Sequence, residues 1–160
     1  MKHLHYQTDA EALAVVVDSD DSPVHLSTHD AAEITSCRFC QIRSAIARGK
    51  ASLRAIPGRD VVKTAIGLAV PSIEAWYRCG VDSRVTEAAW IQKLQSGKCK
   101  YSRESLKRDV YGTDRPSIGM EITFAEKAAS QLVNHLSILE EFFPNGFGPF
   151  AREVRSWSLK

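Results

Sequence analysis

Residues 13–17 (LAVVV) form a short, uninterrupted apolar run rich in β-branched side chains. That pattern predicts a strand buried on both faces, as in a parallel sheet. The run ends in DSDDSP, a polar turn. Residues 24–36 are polar and loop-like, with a helix starting near Asp30. CRFCQIRSAIARG then takes helical spacing, with Cys40, Ile42 and Ile46 among its apolar positions and Gly49 as its stop. Pro57-Gly58 marks a turn. Residues 63–70 (KTAIGLAV) give the second strand, and Pro71 leads into a short helix over 72–77 that Gly80 ends.

The remainder is helical in pattern. Residues 85–94 predict a helix with Thr86 as cap and Trp90 on the apolar face. Another spans 102–110 with Ser102 as N-cap, and 111–118 is a loop. Residues 121–143 form the longest amphipathic stretch, with Phe124, Ala128, Leu132, Leu136 and Leu139 at helical spacing. NGFGP breaks it, and 150–157 form a last short helix.

Strands early with helices around them predict a single α/β domain over 1–160, a Rossmann-like three-layer sheet flanked by helices and helical from about residue 85. A parallel sheet needs more than two strands. Residues 2–6 are the one further strand segment; otherwise the sheet is completed by hidden short strands or against a partner.

At 160 residues the chain can bury a real core. Its 44% hydrophobic and 25% charged composition is that of an ordinary globular protein. A net charge of +2 is too mild to imply nucleic-acid binding by itself. No apolar run reaches membrane-span length, and the N-terminus lacks a signal-peptide pattern, so the expectation is a cytoplasmic protein. Cys37, Cys40, Cys79 and Cys99 are then thiols or metal ligands rather than disulfides.

Asp18 and Asp20 stand two apart directly after a buried strand, where α/β sheets bind ligands. Adjacent carboxylates repel unless a cation neutralises them, and their hard oxygens suit Mg²⁺ or Mn²⁺, with Asp21 assisting. The competing reading is turn chemistry alone. Glu74 follows the second strand, near Asp18 if the strands are parallel neighbours. It is either a further ligand or catalytic base, or an acid favoured by the helix dipole. Trp76 reads as core.

VVVDSDD, followed by a strand and VPSIEAWY, resembles the toprim-related superfamily over roughly residues 9–80. The resemblance implies a metal-dependent phosphodiester function, with Asp18 and Asp20 as the Mg²⁺-binding pair. Relatives include nucleases, and some small members accompany ATPases in antiphage defence. The family's acid/base glutamate stands on an earlier strand. The segment before Leu13 is too short for that strand and a helix, and Glu11 does not sit in the same context. Two expectations follow: a Mg²⁺-dependent nuclease, or a non-catalytic module that binds an ATPase partner or itself. No GxGxxG or P-loop follows the first strand, which argues against a nucleotide binder.

His25-x3-His29 and Cys37-x2-Cys40 supply four ligands suited to tetrahedral Zn²⁺, in a structural role because four protein ligands leave no open position. Scattered surface histidines with half-buried thiols are the alternative. Lys93, Lys98, Lys100, Arg103, Lys107 and Arg108 gather positive charge that is either a phosphate-contacting patch for nucleic acid or a solvated helix face.

Overall fold

The computed structural model describes residues 1–32 and 35–158. Two strands, β1 (Ala12–Asp18) and β2 (Lys63–Ala69), pair in parallel, with Ala12 opposite Lys63 and Asp18 opposite Ala69. Both bear the apolar runs that the sequence predicts as strands. The mixed α/β class therefore holds, but the described residues contain a two-stranded sheet and not a three-layer one. Residues 2–6 are not a third strand. They lie in helix α1 (Lys2–Gln7), whose His5 is fully buried with Nε2 3.0 Å from the Arg54 carbonyl. That distant contact overrides the alternation in a segment too short to specify its own period.

Between the strands run α2 (His29–Ala32) and α3 (Arg38–Ala51). Helix α3 continues through Gly49, expected to stop it, because the Met1 side chain packs there. A Cβ on Gly49 would sit 2.9 Å from Met1 Cγ. After β2 and a cis Val70–Pro71 peptide comes α4 (Ile73–Tyr77), followed by α5 (Glu87–Ser96) and α6 (Arg103–Tyr111). Both predicted caps are made: Thr86 Oγ1 accepts from Ala89 N–H at 3.1 Å, and Ser102 Oγ from Ser105 N–H at 3.1 Å. Thr86→Ala is expected to cost about 1 kcal/mol and lower Tm by roughly 2–4 °C in thermal melts.

The single amphipathic helix predicted over 121–143 is broken. Helix α7 (Ile118–Leu132) gives way to a 3₁₀ turn at Val133–His135, and α8 (Leu136–Phe142) follows. Val133 and Asn134 are weak helix formers, and the turn seats the His135 ring against Gly80, whose φ of +81° only glycine adopts easily. Helix α9 (Phe147–Arg155) then packs on β2.

Trp76, Trp90, Leu68, Leu106, Leu139 and Phe143 build the core. Gly67 in β2 is required by close approach: a Cβ there would meet Trp76, Val16 and Phe150. The other edge of β2 is closed by Gly146, whose carbonyl accepts from Leu68 N–H at 3.2 Å. Among the described residues no helix is long and apolar enough to cross a membrane.

Candidate functional site

Helix α3 begins where the metal-ligand motif ends. Cys37 is its N-cap and Cys40 lies in its first turn, so both sulfurs project from one helix start. His25 comes from the loop leaving β1, and His29 opens α2. The ligand atoms of His25, His29, Cys37 and Cys40 all lie within 4.8 Å of one another, and all four residues are buried. His25 Nδ1 is 3.6 Å from Cys37 Sγ and 3.5 Å from Cys40 Sγ. An ion bound at about 2.3 Å to sulfur and about 2.0–2.1 Å to nitrogen sets a tetrahedral S···N edge of about 3.6 Å. His29 Nδ1 is buried without a hydrogen-bond partner, an orphaned donor set of the kind a metal site leaves in its absence. This cluster can hold a metal ion.

Its surroundings are those of a ligand shell. The His25 ring stacks on Phe39 at 4.3 Å between centroids. Its Nε2 lies 3.4 Å from Asp30 Oδ1, and Arg43 in turn binds Asp30. A carboxylate behind a ligating histidine fixes its ring orientation. Burial lowers the His25 pKa and so favours the neutral imidazole that metals require. Burial, and then the Cys37 thiol beside it, raise the Cys40 pKa. A bound cation reverses that balance and deprotonates a coordinating thiol. Cys79 and Cys99 are free and take no part.

The acids occupy a different place. At the carboxyl end of β1, Asp18 Oδ1 accepts from Ile73 N–H at 2.9 Å, joining the end of one strand to the helix after the other. Asp20 has φ +49°, a left-handed conformation that aspartate tolerates. Its carboxylate bridges two arginines, Arg38 Nη1 at 2.5 Å and Arg103 Nη1 at 3.0 Å. Asp21 lies 3.4 Å from Arg103 Nη2. Arg38 and Arg103 thus offset the charges of Asp20 and Asp21. Among the described residues, the group with converging metal-ligand atoms is the His/Cys quartet.

Glu74 does come near Asp18, as the parallel strands predict. It is 3% exposed, and its Oε2 lacks a hydrogen-bond partner. Burial pushes the Asp18 carboxyl up to about 6, with the Glu74 and Asp20 charges adding to the rise. Tyr111 on α6 stands beside Glu74, and burial together with that carboxylate raises its hydroxyl's pKa. Trp76 is core, as expected.

Nothing in the acidic motif itself indicated Arg38, Arg103 or Tyr111. Of the basic residues singled out in the sequence, Arg103 is paired to the acids, Lys107 acts electrostatically on Asp18, and Lys93 lies 3.8 Å over the Trp90 ring.

No family model, curated protein or solved structure matches this chain.

The raised Asp18 pKa has a measurable consequence. A carboxyl with folded pKa above its unfolded value favours folding below the unfolded value near 3.8. That contribution is lost as pH rises through about 6. Asp18→Asn keeps an acceptor for Ile73 N–H and removes the charge. Urea titrations are expected to show the variant more stable than wild type at pH 7, with the gap closing below pH 4. A variant less stable at pH 7 would show that the ionised carboxylate is favourably held.

Proposed function

We propose that this chain is a zinc-stapled α/β module in which His25, His29, Cys37 and Cys40 hold one structural Zn²⁺. The observation that carries this reading is the convergence of four buried ligands at tetrahedral S···N spacing. The set of two thiolates and two imidazoles favours zinc over Mg²⁺ or Mn²⁺, which take oxygen ligands. Four protein ligands close the coordination sphere, leaving no position for a reactive water, so the ion's role is structural.

The staple ties the loop after β1 to the start of α3. Arg38, next to Cys37, reaches the Asp18 carbonyl at 2.6 Å and the Asp20 carboxylate. Ser22 Oγ accepts from Arg38 N–H at 2.9 Å. Holding Cys37 thereby holds the acidic loop. Calorimetric titration of the metal-free chain with Zn²⁺ tests this reading. One ion per chain is expected, with binding abolished in Cys37→Ser/Cys40→Ser. No binding, or binding indifferent to those substitutions, would overturn it.

A second reading concerns the strand ends, where the unpartnered Glu74 Oε2 beside the half-buried Asp18 favours acid–base chemistry. Mg²⁺- or Mn²⁺-dependent cleavage of a nucleic-acid phosphodiester fits that pair. An ion engaging Asp20 and Asp21 would have to displace Arg103. Cleavage assays with either ion, on wild type and Glu74→Gln, separate the cases. Activity lost with Glu74→Gln favours the nuclease; no cleavage by wild type leaves the non-catalytic module, with an ATPase or a second copy as partner.

A further inference from the structure

Strand β1 is an apolar strand with one open edge. In a parallel ladder the N–H and C=O of one residue point to the same neighbour, and successive residues point to opposite sides. Lys63 N–H donates to Glu11 O at 2.9 Å and Ser19 N–H to Ala69 O at 2.8 Å. Odd-numbered residues of β1 therefore face β2. Ala12, Ala14, Val16 and Asp18 direct their backbone groups the other way. The Asp18 carbonyl is taken by Arg38. Among the described residues, nothing hydrogen-bonds to the outward groups of Ala12, Ala14 and Val16.

The side chains match the backbone. Ala14 is exposed and Val16 is 41% exposed, while on β2 Ala65, opposite Ala14, is buried and Gly67, opposite Val16, is covered by Trp76 and Phe150. A two-stranded sheet is marginal by itself. Edge strands are ordinarily protected by charge, proline, a bulge or a covering segment. Between Glu11 and Asp18 this one carries no charged residue, proline or bulge, and among the described residues no backbone segment hydrogen-bonds along it.

We propose that a second copy of this chain covers the edge, β1 pairing antiparallel with its counterpart across a two-fold axis at Ala14. With that register, Ala14 lies opposite the second copy's Ala14, and Ala12 opposite the second copy's Val16. Each outward N–H then meets an outward C=O, so the free groups of one edge satisfy those of the other. Small stands against large on the exposed face. On the opposite face Leu13 stands against the second copy's Val15. Charge permits it as well: Asp18 falls opposite the second copy's Ala10 and Glu11 opposite its Val17, so no acid directly opposes an acid. The contact is isologous and closes at two copies. The result is a continuous four-stranded sheet, β2–β1–β1–β2.

The test combines mass and amide exchange on the full chain. Light scattering during gel filtration is expected to give a dimer for wild type. Ala14→Pro removes an N–H that the β1–β2 ladder does not use, and edge strands tolerate proline. It is expected to be monomeric with unchanged far-ultraviolet circular dichroism. Should Ala14→Pro fail to fold, wild-type exchange decides. The amides of Ala12, Ala14 and Val16 should be protected in the dimer and lose at least roughly tenfold of that protection on dilution to monomer. A wild type that is monomeric at every concentration overturns the proposal. So does a dimer in which those three amides exchange freely. Zinc content does not enter either readout, so this proposal and the metal reading fail independently.

Discussion

Cys37→Ser/Cys40→Ser should lower stability by about 3–5 kcal/mol, roughly 10–15 °C in Tm, because the energy of a structural metal site is folding energy. The ion joins the loop after β1 to the first turn of α3, and without it the four ligand side chains remain buried, His29 Nδ1 with no hydrogen-bond partner. Both sulfurs are buried, so serine alone also carries a cost. The diagnostic result separates the two contributions. A chelator should bring the wild-type Tm most of the way down to that of the variant and leave the variant unchanged. Added Zn²⁺ should restore the wild type only. If the chelator has no effect on wild type while the variant is destabilised, the cysteines are packing residues and not ligands.

Gly146→Ala should be comparably damaging, at about 3–5 kcal/mol, for a reason unrelated to metal. A Cβ at this position would lie 2.2 Å from the Leu68 carbonyl oxygen, a backbone atom that cannot turn aside. Moving the turn away breaks the Leu68 N–H to Gly146 O bond that closes the edge of β2. It also disturbs the carboxylate of Glu87, which is 1% exposed. Glu87 accepts from Gly146 N–H at 2.9 Å, from Asn145 N–H at 3.3 Å and from Asn145 Nδ2 at 2.5 Å. Burial raises the Glu87 pKa while these donors hold it down, so their loss leaves a buried acid poorly satisfied. Gly119→Ala is the matched control. That glycine lies in α7 with nothing near its missing Cβ, and the substitution should be neutral or stabilising by roughly 0.5–1 kcal/mol. Equal effects of the two substitutions in denaturant titrations would contradict the packing argument at Gly146.

What the sequence made legible was local. Residues 13–17 and 63–70 declared themselves as strands because each is a short, largely apolar run ended by turn residues. Thr86 and Ser102 declared helix starts because their hydroxyls serve the nearest free amides. The quartet was legible from HxxxH and CxxC spacing, yet its convergence depends on Cys37 falling at the N-cap of α3, which spacing does not specify.

The partners of the acidic loop were not legible because they are remote: Arg38 lies 18 residues and Arg103 83 residues from Asp20. For the same reason α1 read as a strand. Its period is ambiguous over six residues, and the contact that settles it is to Arg54. The third strand that the parallel sheet required is not supplied by the described residues, and the open edge of β1 marks where one would dock.

The most direct measurement is X-ray absorption at the zinc edge on the protein loaded with one equivalent of Zn²⁺. Two sulfurs at about 2.3 Å and two imidazole nitrogens at about 2.0–2.1 Å are expected. A shell of oxygens, or a sulfur count other than two per zinc, would contradict the zinc reading.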